Sequence, residues 1–284
     1  MGKSREIKKR MKAVGNIRRI TKTMQMIATS KFARAQLAAT AGKPYTEALM
    51  SLVRELASVE GADHPLLTGV AGAEKAPEVT LVLSSDRGFC GPYNASVLRL
   101  AMRHLRSSDR ARVEVVGKKG AAMLKFNGFG VDKHHTQFGE KPQLAEVRHL
   151  ARTYIERFLA GEVSAVRIVS MRYFSAGKQA PDIQQLLPFK AETHEQGSNA
   201  LFEFSPSETA LLGEILPAAV TTMLFQAFND AIVSEHVARM VAMKAATDNA
   251  GKMGKNLSRQ YNRARQAQIT TELSEIIGGA AALG

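Results

Sequence analysis

Apolar residues recur three and four positions apart through the first sixty residues. Ile7, Met11, Val14, Ile17, Met24 and Ile27 form one stripe, and Lys8, Lys12, Arg19 and Lys22 lie off it. From Ile27 to Ala41 the chain is rich in alanine, which propagates a helix and lets a neighbour approach closely. The spacing predicts a helical arm over 1–60, kinked near Gly42-Lys43-Pro44, where a proline interrupts the ladder. The same periodicity returns beyond Pro217, the last proline of the chain. Val220, Leu224, Phe228, Ile232, Val237, Met240, Met243, Leu257, Tyr261, Leu273 and Ile277 keep to it with few breaks. A helical pattern this long over 207–284, starting at Ser207-Glu208, predicts a coiled coil rather than an ordinary globular helix. Gly251 and Gly254 lower its local propensity and mark a bend or a close contact.

Between the arms the period changes. Residues 79–84 (VTLVLS), 113–116 and 165–170 (AVRIVS) read as buried strands, and 94–105, 118–125 and 144–159 as helices. Strands alternating with helices predict a small α/β sheet domain over 76–190, flanked by loops at 60–77 and 191–206. A globular insert gives the chain room to reverse, so the two arms are expected to pair antiparallel. Neither amphipathic arm is stable alone in water. The C-terminal arm is the longer, so its end is expected to overhang its partner and require cover from another molecule.

Charge sharpens that expectation. The chain carries a net charge of +13, and residues 1–60 hold 13 Lys and Arg against 4 Asp and Glu. In 207–284 the signs balance, but every basic residue falls between Arg239 and Arg265. Two basic segments imply acidic surroundings: nucleic acid, an acidic protein or an anionic membrane face. Aromatic residues are 6% with no tryptophan, and no helix-turn-helix or aromatic sheet face is legible, which favours a protein scaffold over a nucleic-acid binder. No run of 18 uninterrupted apolar residues occurs, so no membrane span is expected. The N-terminus lacks the apolar core of a secretory signal, and the single cysteine excludes an intrachain disulfide.

Catalytic chemistry is not legible. There is no P-loop and no G-x-G-x-x-G, and Gly88-Phe89-Cys90-Gly91 has too few glycines to cradle phosphates. Cys90 lacks a visible base and is expected to be a buried, inert thiol. His134 and His135 are expected as exposed loop residues, and His236 on a helix surface or interface. No catalytic residue, cofactor site or metal site is assigned.

Three stretches resemble one family. Residues 7–26 (IKKRMKAVGNIRRITKTMQM) are similar to the opening helix of the gamma subunit of F-type ATP synthases. Residues 84–94 (SSDRGFCGPYN) resemble that family's loop after the first strand. Residues 234–250 (SEHVARMVAMKAATDNA), with YNRARQA, ITTEL and EIIGGA further on, resemble its C-terminal helix. The match runs over nearly the whole chain, the central domain matching mainly in layout.

The resemblance implies an α/β fold: a long antiparallel coiled coil of N- and C-terminal helices with an inserted Rossmann-like α/β domain. It implies a non-catalytic rotor in the central stalk, turning inside three alpha and three beta subunits, joined to epsilon and seated on the c-ring. Ion flow would turn it to drive ATP synthesis, and hydrolysis would turn it backwards. No nucleic acid and no membrane span are implied; the place is the cytoplasmic face of a bacterial plasma membrane, peripherally bound. Carried over residue by residue, Lys22 and Met24 become contacts with beta, and Arg265, Gln266, Thr270 and Glu272 engage a beta loop in rotary coupling. The small apolar tip around Ile277-Gly278-Gly279-Ala280 suits a rod in a narrow apolar bearing. Pro92 departs from the family, which usually has a second glycine there. No inserted cysteine pair is present, so the thiol-regulated chloroplast form is not resembled.

Overall fold

The computed structural model describes residues 2–57, 64–108, 110–189 and 208–283. The elements in chain order are α1 (Gly2–Ala41), α2 (Lys43–Ala57), α3 (Pro65–Thr68), β1 (Glu78–Leu83), α4 (Tyr93–Arg106) and β2 (Ala111–Val116). They continue with α5 (Lys118–Phe126), β3 (Lys133–His135), α6 (Leu144–Leu159), β4 (Ala165–Ser175), β5 (Lys178–Leu187) and α7 (Glu208–Leu283). Two compact units divide them, residues 31–238 and residues 1–30 with 239–284, and the boundary falls within both long helices.

In the larger unit a five-stranded sheet runs β3-β2-β1-β4-β5. β1 lies at the centre, parallel to β2 and β4, and β5 returns antiparallel along β4. Residues 79–83 of β1 are all buried, as a parallel strand covered on both faces requires. Alternation along β1 divides the core. Leu81 and Leu83 pack with Leu150 and Tyr154 of α6, Val53 of α2 and Leu216, Val220 and Leu224 of α7. Val82 packs with Val97 and Leu98 of α4 and Leu124 of α5. By length and composition α7 suffices to cross a membrane, but Leu212, Leu216, Ala219, Val220 and Leu224 are fully buried. That stretch of α7 is therefore core of the sheet unit.

The break in the first arm falls where proline placed it: α1 stops at Ala41 and α2 opens at Lys43. The Gly42 carbonyl is taken up by the amide and hydroxyl of Thr46, at 3.0 and 2.9 Å. Two strands escape a reading of the sequence. β3 has three residues, too few for a period, and β5 (KQAPDIQQLL) is a half-exposed edge strand in which Pro181 and five polar residues mask the pattern. β4 also runs on to Ser175 as the other half of that hairpin. The expected loop 191–206 and Ser207 lie outside the described residues.

His135 corrects an expectation. It is buried rather than exposed, because β3 pairs it with Val116 and turns its ring inward. Its Nε2 lies 2.7 Å from Oε2 of Glu114, which also accepts from the Tyr154 hydroxyl at 2.9 Å; Nη1 of Arg157 donates to Oε1 at 2.9 Å. Burial pushes the Glu114 carboxyl up, but these three donors outweigh it and hold the pKa at about 2.

The smaller unit is an antiparallel helix pair. Ser4 Oγ donates to Gln268 Oε1 at 3.0 Å, and the Thr21 and Thr247 hydroxyls meet at 2.9 Å. Its buried positions are Val14, Thr21 and Ala28 on α1 and Met243, Thr247 and Ala250 on α7. The seven-residue spacing on α1 and the four-then-three spacing on α7 are those of a coiled-coil seam. The stripe read from the sequence is therefore only partly inward: Ile7, Met11 and Met24 are half-buried, but Ile17 and Ile27 are each 51% exposed. Past Gln268, opposite Ser4, every position of α7 from 269 to 281 is exposed, so the helix overhangs as expected.

Two measurements test this account of the sheet unit. Replacing Gly117, at φ 96° with its α-carbon against the Ser84 carbonyl, by alanine should destabilise the unit by about 2 kcal/mol or more in urea unfolding. Glu114→Gln should cost about 3 kcal/mol at pH 7. Because the folded pKa of Glu114 is depressed to about 2, its stabilisation is present above the unfolded value and lost as pH falls. The gap between Glu114→Gln and the parent should therefore narrow from pH 5 towards pH 2.

Candidate coupling surfaces

The loop leaving β1 is held from both sides. Ser84 Oγ accepts from the Gly120 amide at 2.9 Å, the Ser85 carbonyl from the Lys119 amide at 3.0 Å, and Asp86 Oδ1 from the Lys118 amide at 3.0 Å. The first amides of α5 are the groups that would greet a phosphate at this place in an α/β sheet. Here the chain's own oxygens occupy them. Gly117 and Gly120 permit the approach, since a Cβ on either would collide with Ser84.

On the α4 side, Asn94 Oδ1 accepts from the Ser85 amide at 3.1 Å, and Asn94 Nδ2 donates to Ser85 Oγ at 2.7 Å and to Cys90 Sγ at 3.3 Å. Cys90 is buried in this network, as expected of a structural thiol. Pro92 becomes the N-cap of α4 at φ −81°, where the amide it lacks has no partner within the helix, and Gly91 turns the chain at φ 53°. The loop so fixed presents Phe89 to solvent, 71% exposed and at φ 62°, a costly backbone conformation for an aromatic residue. No pattern in the sequence marks that position.

Below this loop a cavity of about 210 Å³ is lined by Asp86, Arg87, Glu140, Glu235 and His236, among others. His236, expected on a helix surface or an interface, is buried here. Lys31 of α1 pairs with Glu140 and is the main cause that draws its carboxyl below the ordinary range. Further along α7, burial raises the pKa of Asp230, which accepts from Gln226 Nε2 at 2.7 Å and the Tyr173 amide at 3.3 Å. Among the described residues no cluster of three or more His, Cys, Asp or Glu is arranged to hold a metal.

The six residues singled out by the sequence all lie on the helix pair. Lys22 is exposed and Met24 half-buried on α1; Arg265, Gln266, Thr270 and Glu272 are exposed on α7. Glu272 accepts from Gln268 Nε2 at 2.8 Å. The structure does not bring the two sets together. Lys22 lines a groove of about 470 Å³ with Arg18, Arg19, Lys244, Thr247 and Asp248, four cations against one carboxylate. Arg265 begins 17 residues beyond Asp248, roughly 25 Å along α7.

What the sequence reading missed is the outer face of α1; cover for the overhanging end of α7 was expected. Ile17, Ile20, Met26 and Ile27 of α1 are each at least half exposed, as are Met253, Ile269, Leu273, Ile276 and Ile277 of α7. Apolar spacing alone gave no warning, since it favours the face with Ile17, Ile20 and Ile27 over the seam through Val14, Thr21 and Ala28. A helix pair that buries threonine and alanine while presenting isoleucine outward is built for surroundings that cover it.

Known proteins agree with this arrangement. The family profile described as ATP synthase matches residues 3–283. The ATP synthase gamma chain of Rhodopirellula baltica is 40% identical, over 100% of this chain and 99% of its own length. That of Fuscovulum blasticum is 39% identical, over 98% and 99%. Among solved structures, a chain of the rotor of the Euglena gracilis mitochondrial ATP synthase superposes with a TM-score of 0.67 at 18% identity, covering 94% of this chain and 99% of that one. A chain of the Tetrahymena thermophila central stalk and c-ring gives 0.57 at 18% identity, covering 80% and 99%; at such identities the likeness concerns the fold. Full-length matches at this level of identity establish that the chain belongs to the ATP synthase gamma chain family.

Proposed function

We propose that this chain is the rotor of the central stalk in an F-type ATP synthase, carrying torque between a membrane ion path and the nucleotide sites of an alpha3-beta3 hexamer. It works mechanically and supplies no catalytic side chain, cofactor or metal. Its partners are alpha, beta, epsilon and the c-ring, and it is held peripherally at the cytoplasmic face of the bacterial plasma membrane. Membership of the gamma chain family supports this reading, as does the fold shared with chains from rotor and central-stalk assemblies.

The observation that carries it is the outward apolar face of the helix pair, continued by the overhang from 269 to 281. A sleeve of other subunits covers such a surface without locking it, because Gly278, Gly279 and Ala280 near the tip offer no large knobs. The basic groove around Lys22 faces acidic segments of beta. Charges on flexible side chains attract over about 8 Å at physiological salt, so the attraction survives changes of angle that would break a bidentate pair. Met24 contributes apolar contact beside the groove. Arg265, Gln266, Thr270 and Glu272 grip a beta loop on the exposed stretch of α7.

Purification of a tagged chain from its native locus in mild detergent tests the assignment. Alpha and beta near three apiece per chain, with epsilon and c, are expected; nucleic acid in place of the hexamer would overturn it. Gln266→Leu is expected to lower coupled ATP synthesis several-fold while the chain's thermal unfolding stays within a few degrees of the parent. Ile17→Gln with Ile27→Gln removes outward apolar surface only. That pair should leave the isolated chain within about 0.5 kcal/mol of the parent yet weaken its assembly with alpha and beta, read by sedimentation of the reconstituted complex.

A further inference from the structure

The seam of the helix pair is less apolar than a competitor that the same sequence offers. Read every three and four residues from Val14, the face of α1 that carries the seam is Val14, Arg18, Thr21, Gln25 and Ala28, of which Val14, Thr21 and Ala28 are buried, Gln25 is half-buried and Arg18 is exposed. Shifted by one residue, the same rule selects Ala13, Ile17, Ile20, Met24 and Ile27, with no polar residue in the set. Rotating α1 by about 100° about its own axis would exchange the two faces. Apolar burial favours the second face, yet Thr21 is buried and Ile20 is 57% exposed.

One specific contact opposes that rotation. The Thr21 and Thr247 hydroxyls meet at 2.9 Å, and both residues are more than nine-tenths buried. Each also lies within reach of a carbonyl of its own helix, Arg18 at 3.1 Å and Met243 at 2.8 Å; with one proton apiece, one hydroxyl donates to its own backbone while the other donates across the seam. One turn away Arg18 lies along Gly251: a Cβ at Gly251 would sit 3.5 Å from its Nε. That is ordinary van der Waals spacing, so the exposed Arg18 side chain simply packs beside the glycine at the edge of the seam. Single polar layers of this kind fix register in coiled coils, at some cost in stability.

We infer that Thr21 and Thr247 are positioning residues that set the rotational phase of α1 against α7, and thereby keep Ile17, Ile20 and Ile27 facing outward. The inference concerns the chain itself; its consequence for coupling rests on the rotor reading. If the phase were free, part of the population would turn its isoleucines inward and present threonine and glutamine to the surroundings.

Serine keeps the hydroxyl and alanine removes it, and both lose the methyl group, so the contrast isolates the hydrogen bond. In the purified full chain, Ser4→Cys with Gln268→Cys reports the native pairing by disulfide formation, and Ile20→Cys reports outward exposure by its rate of maleimide labelling. Thr247→Ala should lower the ratio of native to turned phase, read from both signals, roughly fivefold relative to Thr247→Ser, the change expected for one ordinary hydrogen bond. Thr21→Ala against Thr21→Ser should do the same independently, with helix content by circular dichroism confirming that each chain is folded. Equal cross-linking and labelling in the alanine and serine variants would overturn the inference. In the assembled complex, the alanine variants should pump fewer ions per ATP hydrolysed than the serine variants. Equal ratios would remove the coupling role, while failure to assemble with a hexamer at all would count against the rotor reading instead.

Discussion

A helix of forty or seventy-six residues cannot stand alone in water with one apolar stripe bare, and here each long helix covers the other with very little. The buried seam of the smaller unit is Val14, Thr21 and Ala28 against Met243, Thr247 and Ala250. Side chains this small let the backbones approach closely, but they remove little apolar area from water. What the seam lacks in area it recovers in geometry, through the hydroxyl contact that defines one pairing. The isoleucines it leaves outside are then available to whatever surrounds the pair. A thin specific seam and a rich outer face are two consequences of one placement of residues.

The sheet unit obeys a different rule. Its central strand is buried on both faces, and the loop leaving that strand sits where α/β folds commonly bind phosphates. Ser84, Ser85 and Asp86 fill the amides of α5 instead, with glycines at 117 and 120 admitting them. The result is a rigid platform, pinned by Asn94 and capped by Pro92, that holds Phe89 outward in a strained conformation. A shared architecture thus has the helix-start amides at this place filled by its own side chains and carbonyls.

Much of this was legible in the sequence because it rests on period. The two arms, the proline break and the overhang follow from spacings repeated over many turns, and the strands 79–84 and 113–116 from compact apolar runs. β5 was not legible, since an edge strand with Pro181 and scattered polar residues carries no apolar period. His135 was missed for a related reason: three residues of β3 give no pattern, and its burial depends on Glu114, Tyr154 and Arg157 from elements far away in the chain. The candidate contact residues were legible only through family resemblance; their exposure on the helix pair is a fact of packing. The phase of α1 was the subtlest loss, because the strongest apolar stripe is the one the fold turns outward.

That inversion joins the electrostatics to the mechanics. The groove holding Arg18, Arg19, Lys22 and Lys244 lies at the same level of the pair as the Thr21 and Thr247 contact. Thr247 lines the groove and at the same time anchors the seam, so the phase of α1 also decides which way Lys22 and its neighbours point. A helix turned by about 100° would move the cations away from α7 and the isoleucines towards it, changing the charge and the apolarity of the outer face together. In a shaft read by its surroundings through both properties, the angle of each helix is part of the signal, and a buried pair of hydroxyl groups is a small structure well placed to set it.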